Sequence, residues 1–307
     1  MLQFFKFSGA GNDFVVLDGR RADMTPFRDP VRIGELCRKY RTDGLMILTD
    51  KVSAPAASAD ASPAGEGCIG PDRPFDFVME FYNPDGSGGM MCGNGGRCIV
   101  AFADYLGIRP ADGTTYRFLA PDGEHTAEIL SRSSEESSWT VRLKMIDVEG
   151  ITPVKGGYFL NTGTRHFVKF VEDLDRLDME ADAKPLRWDA AFQPEGTNVN
   201  FVEVRADGLH VRTFEKGVEG ETLACGTGLT ASALAAFRAG IPCTIGAERP
   251  GGSGESGPRI VEDTPALQAV YRLQCRRGDW LQVDFRPGAG DRFTDVYLIG
   301  PACMISK

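Results

Sequence analysis

The sequence has little of what metal-binding, nucleic-acid-binding and membrane proteins require. It contains three histidines, and its eight cysteines show no Cys-x-x-Cys spacing, so we expect no structural zinc site. Its formal net charge of −9 argues against a nucleic-acid surface, because phosphate binding needs clustered lysine and arginine. No apolar run approaches the roughly 20 residues that cross a bilayer. The first residues also lack the basic region and apolar stretch of a secretory signal, so we expect a cytoplasmic protein with no membrane partner.

What the sequence does contain is a repeated glycine-rich phrase built around a cysteine. It reads Gly-Ser-Gly-Gly-Met-Met-Cys92-Gly-Asn-Gly-Gly-Arg in the first copy and Gly-Glu-Thr-Leu-Ala-Cys225-Gly-Thr-Gly in the second. The offset between the cysteines, 225 − 92 = 133, also carries Phe81 onto Phe214 without a gap. A chain of 307 residues is long enough for two ordinary domains, so we interpret the repeat as a duplicated unit.

Each of these cysteines is predicted to stand at the start of a helix. The residues after it carry an apolar stripe of helical period, and each helix should end at a glycine, Gly107 or Gly240, where the chain turns left-handed. A helix start exposes unpaired N–H groups and a partial positive charge, so it favours a thiolate over a thiol and can bind a carboxylate. Strand-like segments flank both helices. The sequence therefore predicts an α+β fold in which a sheet or a barrel wraps around one central helix.

Short phrases spread over nearly the whole chain carry a family resemblance. They are Gly-Asn12-Asp13-Phe, Asn83-Pro-Asp-Gly-Ser, Met-Cys92-Gly-Asn-Gly-Gly-Arg-Cys, Gly-Thr-Asn198-Val-Asn, Phe-Glu215-Lys216-Gly and Gly-Glu-Thr-Leu-Ala-Cys225-Gly-Thr-Gly. Together they resemble the diaminopimelate epimerase family, while the two cysteine phrases are shared by a wider set of cofactor-independent amino-acid racemases. Asn94 stands where proline racemases typically carry histidine, which favours the diaminopimelate branch. A related racemase of the same fold, acting on proline, histidine or hydroxyproline, is the alternative.

The resemblance implies two pseudo-symmetric domains, each a barrel-like mixed or antiparallel sheet around a central helix. It also implies an active site in the cleft between the domains and a last strand that returns to the first domain. We therefore assign residues 1–147 with 300–307 to an N-terminal domain and 148–299 to a C-terminal domain. Residues 51–74, rich in alanine, serine, proline and glycine, are predicted to be a flexible insertion. The implied reaction converts LL-diaminopimelate to meso-diaminopimelate, on the route to lysine and peptidoglycan precursors. Diaminopimelate is then the expected small-molecule partner, and a homodimer is left open.

Inverting a carbon centre requires taking a proton from one face and supplying another on the opposite face. Cys92 and Cys225 are the candidate acid/base groups, and the N–H groups of their helix starts are candidates for stabilising the carbanion. No feature of the sequence identifies a pyridoxal site, so no cofactor is expected. The resemblance adds His166 and Glu215 beside the sulfurs. The predicted substrate-binding residues are Asn12, Asn83, Gly93, Asn94, Asn161, Asn198, Lys216, Gly226 and Thr227.

The sequence departs from the family pattern in three places. Lys216 replaces the usual arginine, and a lysine offers a point charge where arginine offers a two-pronged donor. The family's Asn-Pro-His phrase is here Thr-Arg165-His166, so Arg165 would add a positive charge near the site. A glycine-rich phrase of the family is here Tyr40-Arg-Thr. These changes affect the expected substrate more than the expected type of reaction.

Two other protein classes use similar residues. A phosphate or nucleotide binder could use the glycine-rich loops, but the Gly-Lys-Ser/Thr ending of such loops is missing. A cysteine hydrolase would also present a reactive thiol, and burst kinetics with an activated ester would identify it. A single cysteine before a glycine is more often a small buried apolar residue than a reactant. Two cysteines in one repeated frame favour the functional interpretation.

Overall fold

The computed structural model describes most of the chain, namely residues 2–50, 75–88, 91–243 and 268–306. The predicted insertion at 51–74 lies outside these residues. The chain divides into two compact units. The first unit comprises Met1–Leu143 with Pro301–Lys307, and the second comprises Lys144–Gly300.

Each unit is built mainly from strands. The first unit contains β1 (Phe5–Ser8), β2 (Asp13–Asp18), β3 (Gly44–Thr49), β4 (Phe77–Tyr82), β5 (Thr115–Ala120), β6 (Gly123–Ser133) and β7 (Ser138–Lys144), with helices α1 (Pro30–Tyr40) and α2 (Gly93–Tyr105). The second contains β8 (Thr152–Val154), β9 (Gly157–Asn161), β10 (Arg165–Phe170), β11 (Asn198–Arg205), β12 (Gly208–Glu215), β13 (Gly220–Thr222), β14 (Ala269–Gln274) and β15 (Trp280–Pro287), with helices α3 (Met179–Arg187) and α4 (Gly226–Arg238). A last strand, β16 (Phe293–Ser306), begins in the second unit and ends in the first.

The sheet of the first unit closes on itself. Its strands follow one another from β1 to β7 and then to β16. The end of β16 pairs antiparallel with β1, placing Phe7 opposite Met304, so the eight strands form a barrel. Two neighbouring pairs are parallel, β2 with β3 and β4 with β5. Parallel neighbours need a long crossover connection, and α1 and α2 provide these two crossovers.

The second unit repeats this order. Its sheet runs β8-β9-β10-β11-β12-β14-β15-β16, with β13 paired to β12. The parallel pairs are β10 with β11 and β12 with β14, and α3 and α4 make the crossovers. The predicted fold class, α+β with two pseudo-symmetric units in which a barrel-like sheet surrounds a helix, is confirmed. Helix α3, the counterpart of α1, was not predicted; it carries Pro185 in its interior, which weakens the helical signal.

α2 and α4 are the core helices of the two units. Twelve of the 13 residues of α2 and ten of the 13 residues of α4 are buried, so the sheets enclose more than the single apolar stripe predicted for each helix. Both helices are followed by a left-handed glycine as predicted, Gly107 with φ 77° and Gly240 with φ 73°. Among the described residues, no helix is both long and apolar enough to cross a membrane.

The carboxylate of Asp104 fixes the last turn of α2 to the sheet. Its side chain is almost fully buried and accepts hydrogen bonds from Tyr116 Oη at 3.0 Å and Trp139 Nε1 at 2.9 Å. The guanidinium groups of Arg109 and Arg132 lie 2.7 Å and 2.9 Å from the same carboxylate. Since Tyr116 and Trp139 belong to β5 and β7, this one side chain ties the core helix to two strands.

Replacing Asp104 with alanine should destabilise the first unit. The indole N–H of Trp139 would be left buried without an acceptor, and the Tyr116 hydroxyl would lose one of its two, so we expect Asp104→Ala to lower the free energy of unfolding by about 1–3 kcal/mol. Urea denaturation followed by circular dichroism measures this change. Glu135→Ala, which removes an exposed carboxylate in the same unit, should shift the stability by no more than about 0.5 kcal/mol. Equal stabilities for the two variants would contradict this structural role.

Candidate active site

Cys92 and Cys225 occupy the same position in the two units, the N-cap of the core helix. Both have extended backbone angles, and neither side chain caps its own helix. The first intrahelical bonds run from Gly96 N to Cys92 O at 2.7 Å and from Leu229 N to Cys225 O at 2.9 Å. The N–H groups between these positions therefore have no partner within the helix. The predicted placement of each cysteine at a helix start is confirmed.

Hydrogen bonds tie the start of α2 to the turn between β1 and β2. Asn94 Nδ2 donates to Asn12 Oδ1 at 2.7 Å, and Arg97 Nη2 donates to Asn94 Oδ1 at 2.8 Å. The fully buried Arg97 also donates to Gly9 O at 3.2 Å and to Gly93 O at 3.3 Å. A side chain at Gly9 would not fit, because its Cβ would lie 2.7 Å from Asn94 O. Arg97 thus places a buried positive charge in the first turn of the helix that Cys92 begins.

Asn83 lies in the turn that follows β4. Its Nδ2 donates to Ser87 Oγ at 3.1 Å, and its backbone N–H donates to Ser87 O at 2.9 Å. The side-chain oxygen of Asp85 accepts from the Ser87 backbone and hydroxyl, which tightens the same turn. The polar Asn-Pro-Asp-Gly-Ser phrase is therefore accounted for at least in part by turn geometry.

In the second unit His166 and Thr227 lie beside Cys225. Thr227 Oγ1 is 3.4 Å from Cys225 Sγ and 3.0 Å from His166 Nε2. Thr164 Oγ1 is 2.9 Å from the same ring nitrogen. The His166 ring is fully buried, and this burial lowers its pKa from 6.5 to about 3. His166 is therefore neutral at physiological pH and gives the sulfur no positive charge.

Glu215, at the end of β12, is a hydrogen-bond partner of Cys225. Burial raises the pKa of this carboxyl above its ordinary value, and hydrogen bonds from Thr222 and Cys225 oppose that rise. The Thr222 hydroxyl donates to Glu215 Oε1 at 2.6 Å. A thiol at Cys225 thus has a carboxylate as its hydrogen-bond acceptor.

The remaining predicted residues of the second unit are held at the edges of this cluster. Asn198 Nδ2 donates to Arg165 O at 3.1 Å, and Asn198 Oδ1 accepts from Lys216 N at 2.8 Å. The Lys216 side chain is exposed. Asn161 is also exposed, and its Oδ1 accepts from Gly163 N at 3.0 Å.

Arg165, expected to add positive charge near the site, forms an ion pair with Glu195. Its guanidinium also lies 5.0 Å from the centre of the Phe159 ring. Glu195 compensates the charge of Arg165 locally, so the departure from the family phrase changes the charge of this edge less than the sequence indicates.

Two side chains of the cluster were not among the predicted site residues. Thr164 lies two residues before His166, and its hydroxyl oxygen is 2.9 Å from the imidazole Nε2. Asn200 lies on the other side of the ring, where its Nδ2 is 3.0 Å from His166 Nδ1. Asn200 is the last residue of the Gly-Thr-Asn198-Val-Asn phrase. It follows Asn198 by two positions on a strand, so the two side chains lie on the same face, and this spacing could have identified Asn200 as a site residue from the sequence.

Comparison with known proteins identifies the family. The family model for diaminopimelate epimerase matches residues 158–262. The diaminopimelate epimerase of Chlorobaculum tepidum is 36% identical over 309 aligned residues, covering 98% of each chain. The chain belongs to the diaminopimelate epimerase family. The resemblance carried by the motifs is confirmed, and with it the isomerase class.

Solved structures of other proteins share the fold of this chain. A phenazine biosynthesis protein of the PhzF family from Bacillus anthracis superposes with a TM-score of 0.62 at 11% identity, covering 99% of this chain and 96% of that one. A probable proline racemase from Agrobacterium radiobacter gives a TM-score of 0.56 at 16% identity, covering 100% and 92%. At such identities the likeness concerns the fold alone. In the described ranges no group of three or more His, Cys, Asp or Glu side chains could hold a metal ion.

The buried neutral His166 should make stability fall in mild acid. Its pKa is about 3 in the folded protein and near 6.5 in the unfolded chain, so below about pH 6.5 the unfolded state binds a proton that the folded state does not. Stability is lost as the pH falls from about 6.5 towards 3. Between about pH 7 and about pH 5.5, the loss due to this group is about 1 kcal/mol. Urea denaturation at the two pH values should show a smaller loss in His166→Gln than in the wild type; equal losses would show that His166 is not buried neutral.

Proposed function

We propose that this protein interconverts LL-diaminopimelate and meso-diaminopimelate by acid/base chemistry at Cys92 and Cys225. The observation that carries the proposal is the equivalence of the two cysteines, each at the start of the core helix in a unit of the same topology. Membership of the diaminopimelate epimerase family supplies the substrate. One sulfur would remove the α-proton of the amino acid, and the other would deliver a proton to the opposite face.

The helix starts would hold the α-carboxylate during this exchange. The α-proton of an amino acid is weakly acidic, so the carbanion must be stabilised by fixed donors around the carboxylate. The N–H groups of Gly93, Asn94, Gly226 and Thr227 are suited to this role, because helix geometry leaves them without intrahelical partners and the helix dipole favours negative charge there. Asn94 is further fixed by its bonds to Asn12 and Arg97.

The surroundings of the two sulfurs favour different protonation states in the resting protein. The buried guanidinium of Arg97 in the first turn of α2 favours negative charge at Cys92. The Glu215 carboxylate accepts a hydrogen bond from Cys225, and a second negative charge beside it is disfavoured, so Cys225 would rest as the thiol. Cys92 then acts as the base for one isomer and Cys225 for the other, and the thiolate of Cys225 would be stabilised by Thr227 and its helix start.

Selection of diaminopimelate would depend on groups that pair with its distal ammonium and carboxylate. Asn12, Asn83, Asn161, Asn198 and Lys216 are the candidates, and a site built of such groups penalises a ligand that leaves them unpaired. A racemase acting on proline or hydroxyproline is the alternative, since proteins of that kind share this fold. Asn94 argues against it, because its amide is already engaged between Asn12 and Arg97.

Incubation with LL-diaminopimelate in heavy water tests the reaction and the substrate together. A two-base mechanism delivers solvent deuterium to the α-carbon of the meso product, while substrate recovered at early times stays unlabelled because the base returns the original proton. Mass spectrometry and chiral chromatography follow both species. Proline, hydroxyproline and histidine form the comparison set. Label in one of these but not in diaminopimelate would replace the proposed substrate, and equal early labelling of substrate and product would refute the two-base scheme.

Substitution of either helix-start cysteine should abolish epimerisation without unfolding the protein. A positioned acid or base contributes about 10²–10⁴-fold to a rate, so Cys92→Ala and Cys225→Ala should each lose at least that much in kcat. Cys37→Ala is the matched control, because burial raises the pKa of this thiol and makes it a poor reactant. Near-full turnover by either active-site variant, with a native circular dichroism spectrum, would contradict the scheme.

A further inference from the structure

Asn200 is a buried polar residue that the proposed chemistry does not use. It lies on β11 with no exposed surface, behind the His166 ring. Its Oδ1 accepts from Thr213 Oγ1 at 2.9 Å. Its Nδ2 lies 3.0 Å from His166 Nδ1 and 3.1 Å from Phe167 O. All of the hydrogen-bonding atoms of this amide therefore meet a partner within the second unit.

These partners decide which way the amide points. The carbonyl of Phe167 can only accept, so the NH₂ group of Asn200 must face it, and the oxygen must face the hydroxyl of Thr213. One amide hydrogen goes to Phe167 O, which leaves the other for His166 Nδ1. The absence of a side chain at Gly228 keeps this arrangement possible, because a Cβ there would lie 2.4 Å from Asn200 Oδ1.

The orientation of Asn200 in turn fixes the tautomer of His166. A ring nitrogen that receives a hydrogen bond carries no proton, so Nδ1 is bare and the single proton of the neutral ring is on Nε2. Burial of the ring, which lowers its pKa, keeps it neutral. The Nε2–H then donates towards the hydroxyl oxygens of Thr164 and Thr227, at 2.9 Å and 3.0 Å.

The proton on Nε2 sets the direction of the hydrogen bonds beyond the ring. Asn198 Nδ2 donates to Thr164 Oγ1 at 3.3 Å, so this oxygen already accepts. The hydroxyl hydrogen of Thr164 cannot go to Nε2, which bears its own, and the available acceptor is Thr227 Oγ1 at 3.1 Å. Thr227 Oγ1 accepts hydrogen bonds from the Thr164 hydroxyl and from His166 Nε2–H. Its own hydroxyl hydrogen is therefore available for Cys225 Sγ, 3.4 Å away.

We infer that Asn200 is a positioning residue, which holds His166 as the Nε2–H tautomer and so directs the hydroxyl of Thr227 at the sulfur of Cys225. The inference rests on the proposed function, because the hydroxyl matters for catalysis only if Cys225 must become a thiolate. A thiolate sulfur needs a hydrogen-bond donor. The Asn200–His166–Thr227 chain provides the Thr227 hydroxyl and fixes its direction. Glu215 serves the opposite state, in which the thiol itself donates.

Nitrogen NMR on the resting protein tests the tautomer without any substrate. The imidazole nitrogens of ¹⁵N-histidine-labelled wild type should show a bare Nδ1 and a protonated Nε2 for His166 at neutral pH, with the signal assigned through its loss in His166→Gln. A protonated Nδ1 would overturn the inference. This measurement does not depend on which amino acid the enzyme uses, so it stays informative if diaminopimelate proves not to be the substrate.

Asn200→Asp reverses the interaction while preserving the shape of the side chain. A carboxylate can only accept, so Nδ1 becomes protonated; in the neutral ring Nε2 is then an acceptor, and Thr227 is drawn away from the sulfur. We expect kcat to fall on the order of 10- to 100-fold with KM little changed, since a wrong tautomer misdirects the donor without altering substrate contacts. Asn200→Leu is the second variant; it keeps a side chain of similar size but removes the amide that donates to His166 Nδ1, and should give a mixture of tautomers with an intermediate kcat.

Gln282→Glu is the matched control, because it makes the same amide-to-carboxylate change on the exposed face of β15. It should keep both the wild-type tautomer and the wild-type kcat. The inference fails if Asn200→Asp shows a protonated Nδ1 at His166 and retains the wild-type kcat. If Asn200→Asp does not fold, Asn200→Leu decides the matter, and a mixed tautomer with unchanged kcat would refute the inference in the same way.

Discussion

The unpaired N–H groups at the start of a buried helix are the constraint on which this structure depends. In each unit the core helix is almost completely enclosed by its sheet, yet its first turn must face something that accepts hydrogen bonds. A cysteine stands at both starts, and glycines follow it, so negative charge on a sulfur or on a carboxylate is favoured there. The crossover topology determines where these starts are, because each core helix joins two parallel strands.

The two helix starts differ in the charges around them. The first contains the fully buried guanidinium of Arg97, which is held by the carbonyls of Gly9 and Gly93 and by the Asn94 amide. The second contains the Glu215 carboxylate and a histidine kept neutral by burial. In the proposed scheme, this difference would favour one sulfur as the base and the other as the acid before any substrate binds.

Local patterns made part of this architecture predictable. The helix periods after Cys92 and Cys225 and the left-handed glycines at their ends are encoded within about 15 residues, so the core helices and their N-cap cysteines could be predicted. The family phrases extended this to the topology. Helix α3 was missed because its interior proline and acidic residues obscure the period.

The hydrogen bonds around His166 could not be predicted, because Asn200 and Thr227 lie 34 and 61 positions away from it in the chain. Polar residues on a strand look alike in sequence whether they face water or a buried ring.

The shared strand β16 has a consequence for how the chain folds as it is synthesised. The first unit needs Pro301–Lys307 to close its barrel. In the chain, Pro301 comes 301 − 143 = 158 positions after Leu143, the last residue of the unit's first segment. At a synthesis rate of about 5–20 residues per second, the ribosome needs about 8–30 s to supply them. During that interval β1 lacks its β16 neighbour and presents an open edge, the kind of surface that pairs with other chains. Until these residues emerge, the barrel of the first unit cannot close. A chaperone that binds exposed strand edges would act at this stage.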